Sequence, residues 1–270
     1  MNYFFPAGNY WEDKDIRKLR FIPRKIGIKA FIDDSKLDKS KIRSLPSIYN
    51  LYKSKATVTE ILNETYEDFN DEKIEYFFSD LQQLCHDNKE GDIDEQNTND
   101  MYYSLLKLFG IGKRNNPYKS EPEYTLKFNI GNDNEIVTKP DRVIYERDNK
   151  ILVIIEESKR RYTKTQEELY PQLISELIGM AFHNIYVTNR GEITDQDVFG
   201  ILIRSRFFSF WKAKISRKTL MEVQRGQLPP SEETPVFYIT DGPKEWGFDI
   251  TNPKSRKLIL LLMNEILNLN

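Results

Sequence analysis

The residues of this chain best placed to do chemistry are carboxylates and one lysine. Lys139-Pro140-Asp141 opens a β-rich run, and Glu157-Ser158-Lys159 follows the most apolar run, Ile151 to Ile155. Between them Arg147-Asp148-Asn149-Lys150 has the composition of a hairpin turn. Antiparallel pairing about that turn sets opposite one another residues whose numbers sum to about 297, so Asp141 falls beside Glu156 and Glu157. Side chains alternate along a strand, which places Ile155, Glu157 and Lys159 on one face and Glu156 and Ser158 on the other. Carboxylates this close repel when ionised unless a proton or a cation lies between them. A hard divalent ion, magnesium or manganese, suits such oxygens, and the Ser158 carbonyl offers one more. The Lys159 ammonium would orient or deprotonate an attacking water and offset charge growing on a phosphate. Together these are parts for phosphodiester hydrolysis. The bland alternative is that Glu157 and Lys159 merely mark a strand leaving the core.

Scarce residues narrow the chemistry further. The sole cysteine, Cys85, forbids an intramolecular disulfide and multi-cysteine metal sites, and reads as a buried thiol. His86 and His183 lie far apart, so zinc sites and His-dependent triads are disfavoured, and His183 reads as structural. Gly110-Ile111-Gly112-Lys113 is too short for a P-loop and lacks the following Ser or Thr. The formal net charge of -2 over 270 residues gives no global field for a polyanion, so nucleic acid would need a local basic patch. Apolar runs such as Leu258 to Met263 fall far short of the ~20 residues that span a bilayer. The start, Met1 to Pro6, has no cationic segment ahead of an apolar one, so an intracellular protein without a membrane partner is expected.

The elements that must position the carboxylates follow from periodicity. Residues 1 to about 55, with clusters such as Arg17-Lys18-Leu19-Arg20 and with Pro23 and Pro46, read as an irregular extension. Thr57 to Cys85 carries apolar residues at helical spacing and predicts two helices broken near Asn70. His86 to Asp100 is acidic and aperiodic, which predicts a linker and a boundary near residue 90. Beyond it come a helix over Met101 to Phe109, a strand ending at Ile130, and the hairpin Arg142 to Glu146 with Ile151 to Glu157. A helix over Thr165 to Phe182, strands at Phe199 to Ile203, Phe207 to Ile215 and Val236 to Thr240, and a closing helix capped by Asn252 complete the reading. The expected organisation is a mainly helical region, 1–90, before an α/β domain, 91–270.

Asp141 with Glu157-Ser158-Lys159 resembles the PD-(D/E)XK nuclease superfamily. The run Ile151 to Arg160, followed by Pro171-Gln172-Leu173-Ile174-Ser175-Glu176, is most similar to nuclease modules of crinkler-type effectors and related fungal families. The resemblance covers residues 95 to 240 or so. It implies a restriction-endonuclease-like fold, a mixed sheet of four to five strands between helices, and a magnesium- or manganese-dependent endonuclease. It further implies catalytic roles for Asp141, Glu157, Lys159 and Gln172, and metal ligation by Asp141, Glu157, the Ser158 carbonyl and a first-helix acid, Glu95 in preference to Asp100. Ser158 stands where the family often has another residue, and the N-terminal header of crinkler effectors is absent, which weighs against a secreted-effector role.

Two basic clusters supply the local patch that the net charge requires. Arg160, Arg161 and Lys164 follow the carboxylates, and Arg204, Arg206, Lys212 and Lys214 are interleaved with Phe207, Phe208, Phe210 and Trp211. They read equally as a nucleic-acid path or as a solvated strand face over an aromatic core. Gln172 and Glu176, one turn apart, read equally as site residues or as an exposed polar stripe. The expected partner is DNA in preference to RNA, with nuclear import a further use of the basic clusters and the N-terminal region open to a protein partner. The alternative function is an inactive nuclease-like fold that binds DNA or protein.

Overall fold

The computed structural model describes residues 5–32, 42–87, 95–132, 134–157, 170–188, 191–241 and 246–268. The chain begins with a 3₁₀ turn (Gly8–Tyr10), α1 (Asp13–Lys18), β1 (Phe21–Lys25), α2 (Ile28–Phe31), α3 (Pro46–Lys53), α4 (Val58–Leu62), α5 (Glu72–Asp87) and α6 (Glu95–Leu108). It continues with β2 (Lys119–Pro122), the hairpin β3 (Leu126–Ile130) and β4 (Asn134–Thr138), the hairpin β5 (Arg142–Tyr145) and β6 (Ile151–Glu157), and α7 (Tyr170–Thr188). It ends with β7 (Gln196–Arg204), β8 (Phe207–Ile215), α8 (Arg217–Gln224), β9 (Thr234–Ile239), β10 (Phe248–Asp249) and α9 (Pro253–Asn268).

The β5–β6 hairpin forms about its Asp-Asn turn, where Asn149 takes a left-handed φ of 67°. Its register, Val143 opposite Ile154 and Ile144 opposite Val153, is the one the sequence predicts. From β6 the chain crosses through α7 to β7, which runs parallel to β6. The main sheet runs β1-β9-β8-β7-β6-β5-β2, with β10 beside β8, and is mixed. α7 is apolar nearly all round and buried because it lies between this sheet and the separate β3–β4 hairpin. Gly200 on β7 allows the close approach: a Cβ there would stand 3.2 Å from Leu173 Cδ1. The opposite sheet face is covered by α3, α5, α6 and α9, whose apolar residues share a core with Val153 and Ile203. Asn252 caps α9, accepting from the Lys254 and Ser255 N–H groups at 2.9 and 3.3 Å, with Pro253 in the first turn. No helix among the described residues is long and apolar enough to cross a membrane.

Three expectations change. Residues before 55 are not an irregular extension: β1 is an edge strand paired in parallel with β9, Phe21 opposite Thr234, and such an edge accommodates Pro23. Positions 95–100 are helical, because the buried face of Met101, Tyr102 and Leu105 extends back through buried Thr98 and offsets the polar composition. The sheet outgrows four to five strands because β8, β9 and β1 extend it past β7. Residues on both sides of position 90 contribute to both cores.

Candidate active site

The last turns of β6 and the first turns of α7 bring carboxylates together inside the protein. Asp141 immediately precedes β5, and Arg142 opposite Ile155 continues to Asp141 opposite Glu156. The Asp141 backbone N–H donates to the Glu156 carboxylate. From the helix, Gln172 Nε2 donates to Glu156 Oε1 at 2.6 Å and to Glu176 Oε1 at 3.2 Å. Glu156 is 5% exposed and Glu176 is 0% exposed, whereas Asp141 is half-buried. Gln172 and Glu176 are therefore not an exposed stripe; the one-turn spacing points both at β6.

Burial drives the Glu156 carboxyl well above the usual carboxylate range. The neighbouring charges of Glu176 and Asp141 push the same way, and the Asp141 N–H opposes them. Glu156 Oε2 is buried with no hydrogen-bond partner among the described residues. Such an oxygen wants a proton or a cation. The donors here are all hard oxygens, the set that suits magnesium. Among the described residues, no three His, Cys, Asp or Glu side chains are grouped to hold a metal ion.

A second tier of polar contacts fixes the start of α7. Ser175 Oγ lies 2.7 Å from the Gln172 carbonyl, 3.2 Å from the Gly8 carbonyl and 3.3 Å from Thr138 Oγ1. Its single proton serves one carbonyl at a time, and the Thr138 hydroxyl can donate to Ser175 Oγ. Gly8 is there because nothing larger fits: a Cβ would stand 2.7 Å from both Ser175 Oγ and Thr138 Cβ. Sequence reasoning missed Glu156 as the residue contacting Gln172, although the hairpin sum already pointed to it. Ser175, Thr138 and Gly8 gave no signal, being ordinary polar or small residues distant along the chain.

Glu157 ends β6, its backbone paired with Ile203, and Glu95 begins α6. Ser158, Lys159, Arg160, Arg161 and Lys164 lie outside the described residues. The second basic cluster does not form one solvent-facing path. Arg204 is 2% exposed. Arg206 Nε pairs with Asp249 at 3.2 Å, while its guanidinium lies over Phe207. Lys212 donates to the carbonyls of Ala30 and Phe31 at the end of α2. Lys214 is exposed, its ammonium 4.0 Å from Asp195. Crowding along a strand pair buries or engages three of these four cations, which composition alone does not disclose. Cys85 is buried, and His183 is indeed structural, Nε2 3.0 Å from the Asn149 carbonyl at the hairpin turn. Burial holds its pKa below the usual histidine value.

No known family model matches the chain, and no curated protein matches it in sequence.

Proposed function

We propose that this protein is a metal-dependent nuclease that hydrolyses phosphodiester bonds of DNA. The observation that carries the reading is the buried Glu156–Gln172–Glu176 cluster beside Asp141, where β6 ends and the Lys159 segment begins. Buried carboxylates set against a half-buried one are costly for stability alone and suited to a cation. The chain order supports the same reading. Helix α6, the antiparallel strands β2, β5 and β6, and then α7 repeat the helix, sheet and helix that the superfamily resemblance implies.

Asp141 and Glu156 Oε2, neighbours across β5 and β6, would hold magnesium or manganese, and Glu157 and Ser158 follow next along the chain. When bound, that ion supplies Lewis acidity at the scissile phosphate. Gln172 keeps Glu156 and Glu176 at fixed separation and orients Glu156 toward Asp141. Lys159 positions the attacking water and compensates charge developing on the phosphate oxygens.

The test is plasmid cleavage. The wild-type protein should nick DNA with magnesium and be silent in EDTA, and Lys159→Ala and Asp141→Ala should be inactive with wild-type melting curves. Chelator-insensitive cleavage, or a variant cutting at the wild-type rate, overturns the assignment. DNA binding with no divalent binding by calorimetry would favour a nuclease-like binding module.

A further inference from the structure

A second feature lies on the sheet face opposite Glu156, where the cover of helices ends. The strand register sets Ile201, Phe210 and Ile239 side by side on β7, β8 and β9, and the core formed with α3, α5, α6 and α9 buries that row. Two residues along, the next row on the same face is Phe199, Lys212 and Phe237, and all three are only half-buried. Helix α2 ends beside them, and together they enclose a cleft of about 530 Å³. Its buried lining is apolar: Phe31 and Ile32 are 2% and 5% exposed, and Ala213 is buried as well. Lys212, between the two phenylalanines of the row, donates to the carbonyls of Ala30 and Phe31, which fixes a charge at the wall. Lys29 and Lys214 stand exposed at the rim. Asp197, opposite Lys214 in the register, lines the same rim, and Asp195 lies 4.0 Å from the Lys214 ammonium.

We propose that this cleft binds a small amphiphilic anion, an apolar chain or ring that ends in one carboxylate. Pockets that take small ligands have a volume of this order and combine an apolar lining with a few placed polar groups. An apolar body seated here covers the half-buried faces of Phe199 and Phe237 and reaches Phe31 and Ile32 beneath them, so surface that water now wets is withdrawn from it. The charges set the head group. The ammonium groups of Lys29, Lys212 and Lys214 stand against the carboxylates of Asp197 and Asp195, which leaves one positive charge in excess among the described residues at the cleft. A single carboxylate balances that excess, whereas a polyanion would press its further charges on Asp197 and a cation would meet the lysines. The site does not depend on the nuclease reading: Leu202, paired with Glu156, projects to the other face of the sheet from Phe199.

The experiment is isothermal titration calorimetry of the full chain at neutral pH with decanoate, and with decyltrimethylammonium, which carries the same tail under the opposite charge. Decanoate should saturate a single site, and decyltrimethylammonium should bind about ten-fold more weakly or not at all. Phe199→Ala with Phe237→Ala should weaken decanoate by about ten-fold or more, because the apolar contacts carry most of the affinity. Lys29→Gln with Lys214→Gln changes exposed side chains alone and should weaken decanoate by about three-fold while narrowing the gap between the two amphiphiles. Asp197→Asn acts in the opposite sense: removing the repelling carboxylate should tighten decanoate by about three-fold, a gain that a damaged fold cannot imitate. Lys127→Gln, on the separate β3–β4 hairpin, serves as the control and should bind as wild type. Equal affinity for the two amphiphiles, binding that never saturates, or an Asp197→Asn variant no tighter than wild type overturns the proposal. The titration contains neither metal nor DNA, so its failure refutes the cleft alone, and a chain that binds decanoate as expected but never cuts DNA refutes the nuclease reading alone.

Discussion

Glu156 and Glu176, one on a strand and one on a helix, are held by a single amide, with Gln172 Nε2 2.6 Å from the first and 3.2 Å from the second. An amide nitrogen gives two protons but no positive charge, so it satisfies geometry without neutralising the pair. In the metal-free protein, one of these carboxyls must keep its proton or pay for a buried charge. The raised pKa of Glu156 follows from that constraint.

The first consequence is a pH-dependent penalty in chelator. Because the folded pKa of Glu156 lies above the ordinary value of 4.5, the folded state holds a proton that the unfolded chain releases. The stabilisation is full at and below the unfolded pKa and is lost as pH rises through the folded one. Glu156→Gln cannot ionise and should melt a few degrees above wild type at pH 8, about 1 kcal/mol or more, with the gap closing near pH 4.5. Thermal melts across pH decide it. A gap that does not change with pH would mean the variant acts through packing instead.

The same proton should report on metal binding. A cation that takes the place of the proton at Glu156 must expel it, so binding releases protons below the raised pKa. Magnesium titrations by calorimetry at pH 6.5, in two buffers of different ionisation heat, should give different apparent enthalpies. Glu156→Gln should remove the buffer dependence. Equal heats in both buffers for wild type would place the cation away from Glu156.

How far the chain discloses this site depends on sequence distance. The β5–β6 hairpin was legible because its turn and both strands lie within about twenty residues, and the paired positions sum as the register requires. That sum put Asp141 opposite Glu156, yet the Glu157-Ser158-Lys159 string drew attention one residue further. A one-residue offset on a strand is a change of face. β1 was invisible for a different reason: its partner β9 lies some two hundred residues away, and an edge strand with a proline and basic residues has no local signature. The start of α6 was hidden because polar residues dominate its first turns, and the helix is held by burial of its later ones.

The wall formed by Gly8 yields a prediction about the amino-terminal segment. Gly8→Ala would drive a methyl into Ser175 Oγ and Thr138 Cβ, each 2.7 Å away, and neither the helix backbone nor the strand end can give way freely. The expected loss is about 1 to 3 kcal/mol, typical of overpacking. Ser175→Ala in the same background removes one clash but leaves the Thr138 Cβ, so the double variant should recover part of the loss. Chemical denaturation of the four species measures the coupling. Strict additivity would show that Gly8 and Ser175 do not press on each other.

The last prediction concerns the clasp between the two ends of the chain. Arg256 on α9 is wholly buried, and burial lowers its pKa from 12.5 to about 10. It donates through Nη1 to the carbonyls of Ile250 and Thr251 at 3.1 and 3.4 Å. Through Nη2 it donates to those of Ser54 and Ala56 at 3.2 and 2.9 Å. Four carbonyls from two distant segments thus depend on one planar fork, a geometry that an ammonium cannot reproduce. Arg256→Met fills similar space but strands the carbonyls and should cost about 3 kcal/mol or more, whereas Arg256→Lys recovers part by satisfying some of them. Denaturant midpoints measure the cost, and hydrogen exchange locates it: faster exchange in α3 and at Ala56 than in β6 is expected, because the fork ties that segment to α9. Uniform acceleration throughout the chain would instead make Arg256 a contributor to global stability alone.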